Sequence, residues 1–285
     1  MRRGQILTAA FELYRKSFLP FVGMALALSL PLALAQTYLL EQVRVDELIR
    51  VEGERLVVDP RFWKFFAGSI AIGLAASVLT TILTAGLTRA ALHAVAEDDP
   101  RIGPSFAFAF RRFGSVLWIG LLTALFLMAG FLAFIVPGII VLVRTLLAMP
   151  AFALEGYRGS AALKRSWRLV KGEGWMVFGM WILAAIAAGI VGALLTALFR
   201  EGWIAPGLAQ GVALALTIPF TTCVVVYLYL DLRARREGLD RDGLVAELAG
   251  ERALPPPPAL PFVPPGPQPE LPPPPGDLPP PPSSG

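Results

Sequence analysis

The sequence predicts an all-α polytopic membrane bundle of about six helices, followed by a proline-rich tail, and three observations carry that class. Of 285 residues 55% are hydrophobic and only 16% charged, where an average soluble domain carries about 25% charge. Six separate stretches hold enough apolar residues to cross the roughly 30 Å hydrocarbon layer at about 1.5 Å per residue. Of 26 prolines, most lie from Pro255 onward, so the chain has an oily part and a proline part. An ordinary soluble enzyme is excluded. A single Cys223 and a single His93 exclude a disulfide framework and a cysteine- or histidine-rich metal site, so neither cofactor nor metal is expected.

The spans are read at residues 17–40, 65–88, 113–136, 137–154, 175–199 and 206–230. In lipid every backbone amide must be satisfied within its own segment, so such runs are helices. Placing the N-terminus inside puts 18 of the 25 bases in cytoplasmic segments, 6 outside and Arg144 within a span. The positive-inside rule then predicts a multi-pass cell-membrane protein with both termini cytoplasmic. Five of the outside bases share the loop after span one with six acids from Glu41 to Asp59, which makes that loop a charged cap.

Arg2 and Arg3 before an apolar run ending in Ala33-Leu34-Ala35 also fit a cleaved signal peptide. An internal repeat argues that the first span is retained. Windows 10–24, 107–121 and 166–180 align without gaps. They match Phe11, Phe108 and Trp167, then Leu13, Phe110 and Leu169, then Arg15, Arg112 and Lys171, then Gly23, Gly120 and Gly179. The picture is three units, each an amphipathic lead-in followed by a two-helix hairpin. In the third, Leu163, Trp167 and Val170 share one face and Lys164, Arg168 and Lys171 an adjoining one. Such a helix is expected on the membrane surface, apolar side in the headgroup layer and bases toward anionic lipid. Lys164, Arg165, Arg168, Lys171, Arg15 and Arg112 are the candidate headgroup contacts.

Small residues mark helix contacts in lipid, where apolar surface supplies no drive for association. Span two carries Ser69, Gly73, Ser77, Thr81 and Ala85, span five Ala184, Ala188, Gly192 and Thr196, and span six Gly207, Gly211 and Ala215. These stripes are read as packing surfaces rather than a pore lining. Pro31, Pro150 and Pro219 interrupt spans one, four and six. Arg144 alone is ionisable within a span; it is either a functional anion or lipid-phosphate contact or a base snorkelling to the outer surface. Glu155 is expected to cap the loop after span four, His93 to be an interfacial polar group, and Cys223 a small buried hydrophobe. Nucleotide-binding, zinc-protease and serine-hydrolase motifs are absent, so no catalytic residue is assigned and no enzyme activity is expected.

Residues 150–179, PAFALEGYRGSAALKRSWRLVKGEGWMVFG, and 229–240, YLDLRARREGLD, carry a resemblance. With the lead-in and six spans, they make residues 1–245 resemble the bacterial membrane-domain family related to the membrane region of glycerophosphoryl diester phosphodiesterases. The resemblance implies a six-span membrane domain and, by analogy, lipid or envelope metabolism. In those enzymes a separate barrel carries paired histidines, carboxylates and a divalent metal. This chain has only His93 and ends in a proline tail, so hydrolysis is not implied.

After span six, Asp231 to Glu237 is expected to continue as helix into water, with Leu239, Leu244, Val245 and Leu248 forming one amphipathic set. Residues 246–285 are read as a disordered cytoplasmic tail in which proline enforces polyproline II. It is either a docking strip for a partner protein with an aromatic groove or low-complexity chain without one. Two functions follow: a membrane scaffold, lipid-contacting or regulatory module, or a transporter or exporter of a small or lipid-like molecule. Anionic membrane lipids are the expected partners, and no nucleic acid is.

Overall fold

The computed structural model describes residues 3–41, 49–52, 55–59, 61–199 and 204–250. Most of the charged cap, Arg200 and the proline tail lie outside the described residues. The chain divides into two compact units, Met1–Arg252 and Ala253–Gly285, and the helices below belong to the first.

Three short helices each precede a long one. Helix α1 (Arg3–Lys16) turns at Ser17 into α2 (Phe18–Glu41), which runs to the loop where β1 (Ile49–Glu52) pairs antiparallel with β2 (Arg55–Val58). Ile49 stands opposite Val58, so the expected cap contains a small hairpin. Helix α3 (Arg61–Glu97) returns, followed by α4 (Ile102–Arg111), α5 (Phe113–Ala133), α6 (Ile135–Thr145) and α7 (Ala148–Glu155). Then come α8 (Ser160–Val170), α9 (Gly174–Leu198), α10 (Ile204–Glu237) and α11 (Arg241–Ala249). Six segments are long and apolar enough to cross a membrane, with α6 and α7 together supplying the fourth. The class is all-α, and the protein is an integral, multi-pass membrane protein.

Two features depart from the expected span lengths. At about 1.5 Å per residue α3 and α10 reach about 55 and 51 Å, well beyond one hydrocarbon layer. The surplus belongs to one end, where α1, α7, α8 and α11 pack on the last turns of α3 and α10 around Ile6, Leu92, Leu147, Leu169, Leu232 and Leu244. The tail of α10 continues as helix to Glu237, as expected, with Asp231 and Arg233 buried against this end and residues 234–237 exposed. Far from this head, Leu132, Phe134, Ile135, Leu194 and Leu198 are exposed, as lipid-facing residues are.

Proline and glycine act where the chain bends or approaches closely. Helices α2 and α10 continue through Pro31 and Pro219, although neither can donate to the carbonyl four residues back. The fourth span breaks instead at Leu146–Leu147, and Pro150 sits in the first turn of α7, where a missing amide proton costs little. The stripe of span six packs as expected. A Cβ at Gly211 would lie 3.0 Å from the Leu30 Cα, and the Ser29 hydroxyl donates to the Gly211 carbonyl at 2.9 Å. The stripe of span two is divided: Thr81 lies under Gly120 and Ala85 is buried, but nothing stands within 4 Å of a Cβ at Gly73.

The repeat is visible in burial. Helix α1 buries Ile6, Ala10 and Leu13, and α8 buries Ala162, Ser166 and Leu169, which are the aligned positions. Helix α4 buries Ser105, Phe106 and Ala109 and exposes Phe110, so its inward face is displaced by one residue from the ungapped alignment. Each lead-in ends in a break, at Ser17, at Arg112 and at residues 171–173.

Candidate functional site

Helix α7 ends because Gly156 adopts φ +74°, a left-handed conformation open to glycine, with its amide bonded to the Phe152 carbonyl. The chain then doubles back as α8, whose Leu163 and Val170 are buried in the protein. That corrects the expectation for these two residues: their partners are α7 and its neighbours, not headgroups. Lys164 and Arg168 do point outward, as does Lys171 in the following turn.

Arg165 does not. Its side chain is 11% exposed, and the guanidinium donates to both oxygens of Glu155 at 2.9 Å and to those of Glu237 at 2.5 and 2.6 Å. Arg233 extends the chain, donating to Glu237 at 2.8 Å and to Glu247 at 2.6 and 3.1 Å. The Tyr229 hydroxyl donates to Glu155. Four helices, α7, α8, α10 and α11, are thereby joined through one set of alternating charges. Burial alone would depress the Arg165 pKa; its hydrogen bonds to Glu237 and Glu155 outweigh that and raise it above the ordinary arginine value. Glu155 is thus a partner of Arg165 and Tyr229 rather than a loop cap.

Ser166 bridges the break in the fourth span. Its hydroxyl donates to the Arg144 carbonyl at 2.6 Å and accepts from the Leu147 amide at 3.1 Å, satisfying both groups a broken helix leaves open. The Arg144 guanidinium lies 5.1 Å from the Trp167 ring centre, within cation–π range. Arg144 therefore sits at the lead-in end beside α8, which corrects the reading of a base snorkelling toward the outer turn. A groove of about 340 Å³ between it, Val143, Val170 and Phe178 opens next to this pair.

On the other side of Trp167, between α5 and α8, lies a groove of about 640 Å³. Phe126, Leu163 and Trp167 form its apolar wall, and Lys164 and Arg168 its rim. The remaining candidates are elsewhere. Arg112 stacks on Phe108 at 4.7 Å, a ring that Arg89 also covers at 4.1 Å. Arg15 is exposed, and its neighbour Lys16 pairs with Asp98 at 2.8 Å. Asp98 is further held by Arg241 at 3.1 Å, and hydrogen bonds from these two bases keep its pKa below the ordinary carboxylate range.

Sequence reasoning missed Tyr229, Arg233, Glu237 and Glu247 as a set, because each looks like an ordinary interfacial residue until its partner, 14 to 74 residues away, is known. The signal was present in part: Glu155, Arg165, Ser166 and Tyr229 all fall in the two stretches that carry the resemblance. His93 is buried, with Nδ1 3.7 Å from Glu97. Cys223 is free and fully buried, as expected. Among the described residues no group of three ligating side chains is placed to hold a metal ion.

Comparison of the chain with protein-family models, with curated proteins and with solved structures gave no match.

Proposed function

We propose that this protein is a lipid-contacting module of the cell envelope, acting without a catalytic centre of its own, whose lead-in helices meet anionic headgroups at the cytoplasmic leaflet. The observation that carries the reading is the groove between α5 and α8. Its two exposed bases, Lys164 and Arg168, stand at the edge of an apolar wall, a pairing suited to a phosphate above an acyl chain. Arg165, although in the same helix, is excluded from lipid contact by its two carboxylate partners. The excess of bases in the segments assigned to the cytoplasm supports the sidedness. Resemblance to the membrane region of glycerophosphoryl diester phosphodiesterases belongs to the same proposal, as the membrane part alone. So does a docking role for the proline tail.

The test uses the full-length protein in vesicles of phosphatidylcholine doped with phosphatidylglycerol, followed by native mass spectrometry of retained lipid. Lys164→Gln with Arg168→Gln should reduce retained phosphatidylglycerol about thirtyfold, since each base near an anionic surface contributes about 1 kcal/mol. Equal retention by variant and wild type would remove the groove from the proposal.

A further inference from the structure

A third groove lies among the spans themselves and carries no charge. It measures about 650 Å³ and is walled by α3, α5, the α6–α7 bend and α9, and no lining residue is ionisable. Hydroxyls converge on it from three helices: Ser77, Thr80, Thr81 and Thr84 from α3, Thr123 from α5 and Thr145 from α6. Trp181 of α9 adds an indole. The volume is within the range of small-molecule pockets, which combine mostly apolar walls with a few convergent polar groups.

The hydroxyls are not equivalent. Thr81 donates to the Ser77 carbonyl at 2.6 Å, Thr84 to the Thr80 carbonyl at 2.8 Å, and Thr145 to the Val141 carbonyl at 2.9 Å. Each is thus satisfied within its own helix, the usual state of a threonine in a span. The side chains of Ser77, Thr80 and Thr123 have no such partner among the described residues. Two helices of an apolar bundle, α3 and α5, therefore turn three hydroxyls, each with a donor to give, toward one space. In hydrocarbon an unmade hydrogen bond is costly, so an occupant with acceptor oxygens is favoured over bare acyl chain.

We propose that this cleft binds an uncharged acylglycerol, with the ester carbonyls of a diacylglycerol accepting from Ser77, Thr80 and Thr123. A phosphate-bearing lipid is disfavoured, because the cleft offers no base to a charge taken out of water. Diacylglycerol supplies two ester carbonyls and a hydroxyl on an otherwise apolar body, which matches scattered donors on apolar walls. The site is separate from the basic groove beside α8 and does not depend on it. It also accounts for the divided stripe of span two: Ala85 is buried and Thr81 packs under Gly120 at the cleft wall, whereas Gly73 and Ser77 are left to line the cleft.

The experiment incorporates the full-length protein in phosphatidylcholine vesicles containing dioleoylglycerol and counts retained molecules by native mass spectrometry. Wild type should keep one dioleoylglycerol, and excess phosphatidic acid should not displace it. The triple variant Ser77→Ala, Thr80→Val, Thr123→Val should lose about tenfold in retention, on the order expected for three modest hydrogen bonds in a membrane. Gly73→Leu, which grows into open space from a position where leucine favours helix, should abolish retention without lowering the unfolding temperature. Undiminished retention in the triple variant overturns the proposal. So does retention of squalane or ubiquinone at the level of dioleoylglycerol, or displacement by phosphatidic acid. Loss of phosphatidylglycerol binding in Lys164→Gln with Arg168→Gln, with dioleoylglycerol kept, would confirm that the two sites are distinct.

Discussion

At the scale of single residues, some buried polar groups hold two elements together. Ser166 is the clearest. Its hydroxyl serves both sides of the Leu146–Leu147 break, and the residue is fully buried. Ser166→Ala leaves the Leu147 amide and the Arg144 carbonyl without a partner, a penalty of about 1–3 kcal/mol. A lowered unfolding temperature in detergent, with helical content retained, is the expected result; an unchanged temperature would mean that the bend is held by packing alone. Asp98 gives a second prediction, on pH. It stops α3 with φ 60°, a left-handed conformation that aspartate tolerates, and accepts from Lys16 and Arg241. Because its folded pKa is depressed, the tie of α1 and α11 to this turn is fully present above the ordinary aspartate value of about 3.9. It is lost as pH falls through the folded value. A carboxyl-carbon NMR titration, with Asp98 assigned from its absence in Asp98→Asn, should give a midpoint below about 3.9. Lys16→Gln and Arg241→Gln should each move that midpoint upward.

At the scale of elements, the lead-in helices show what pattern can and cannot convey. An apolar face beside a basic one is written the same way whether the apolar face meets lipid or protein. Sequence therefore located α8 and its bases but assigned Leu163 and Val170 to the wrong partner. The one-residue displacement of α4 is equally invisible, because matching by residue class tolerates a rotation that burial does not. Spans, by contrast, were legible from length alone, and five of six ran as single helices; only the bend at Leu146–Leu147 needed the Ser166 contact to be understood. The paired-charge cluster was hidden for another reason. A charge in a sequence names no partner, and Arg165 finds Glu155 and Glu237 only after α7, α8 and α10 have packed. Its energetics can be isolated by a double-mutant cycle on Glu155→Gln and Arg165→Met. Each single change strands a partly buried group, and the pair removes both, so the combined loss should fall short of the sum by about 1–3 kcal/mol. Additivity within error would show that the two side chains act independently.

At the scale of the whole molecule, the ion pairs fix which ends of the helices belong together. Lys16 with Asp98, Arg241 with Asp98, Arg165 with Glu237, and Arg236 donating to the Arg168 carbonyl gather α1, the α3–α4 turn, α8 and α11 at one end. Six crossings then put the C-terminal end of α9 at the other, and the sidedness proposed from the count of bases has the lead-in end cytoplasmic. Single cysteines in a Cys223→Ala background test both statements at once. Asp99, exposed beside the α3–α4 turn, should react with a membrane-impermeant maleimide as Asp99→Cys only in inverted vesicles. Phe199, exposed just after α9, should react as Phe199→Cys only in intact cells. Reaction of both from one side would break the six-span reading. Exchange of the two patterns would keep the spans and reverse the protein in the membrane, taking the bases of α8 away from the leaflet that the proposed lipid contact requires.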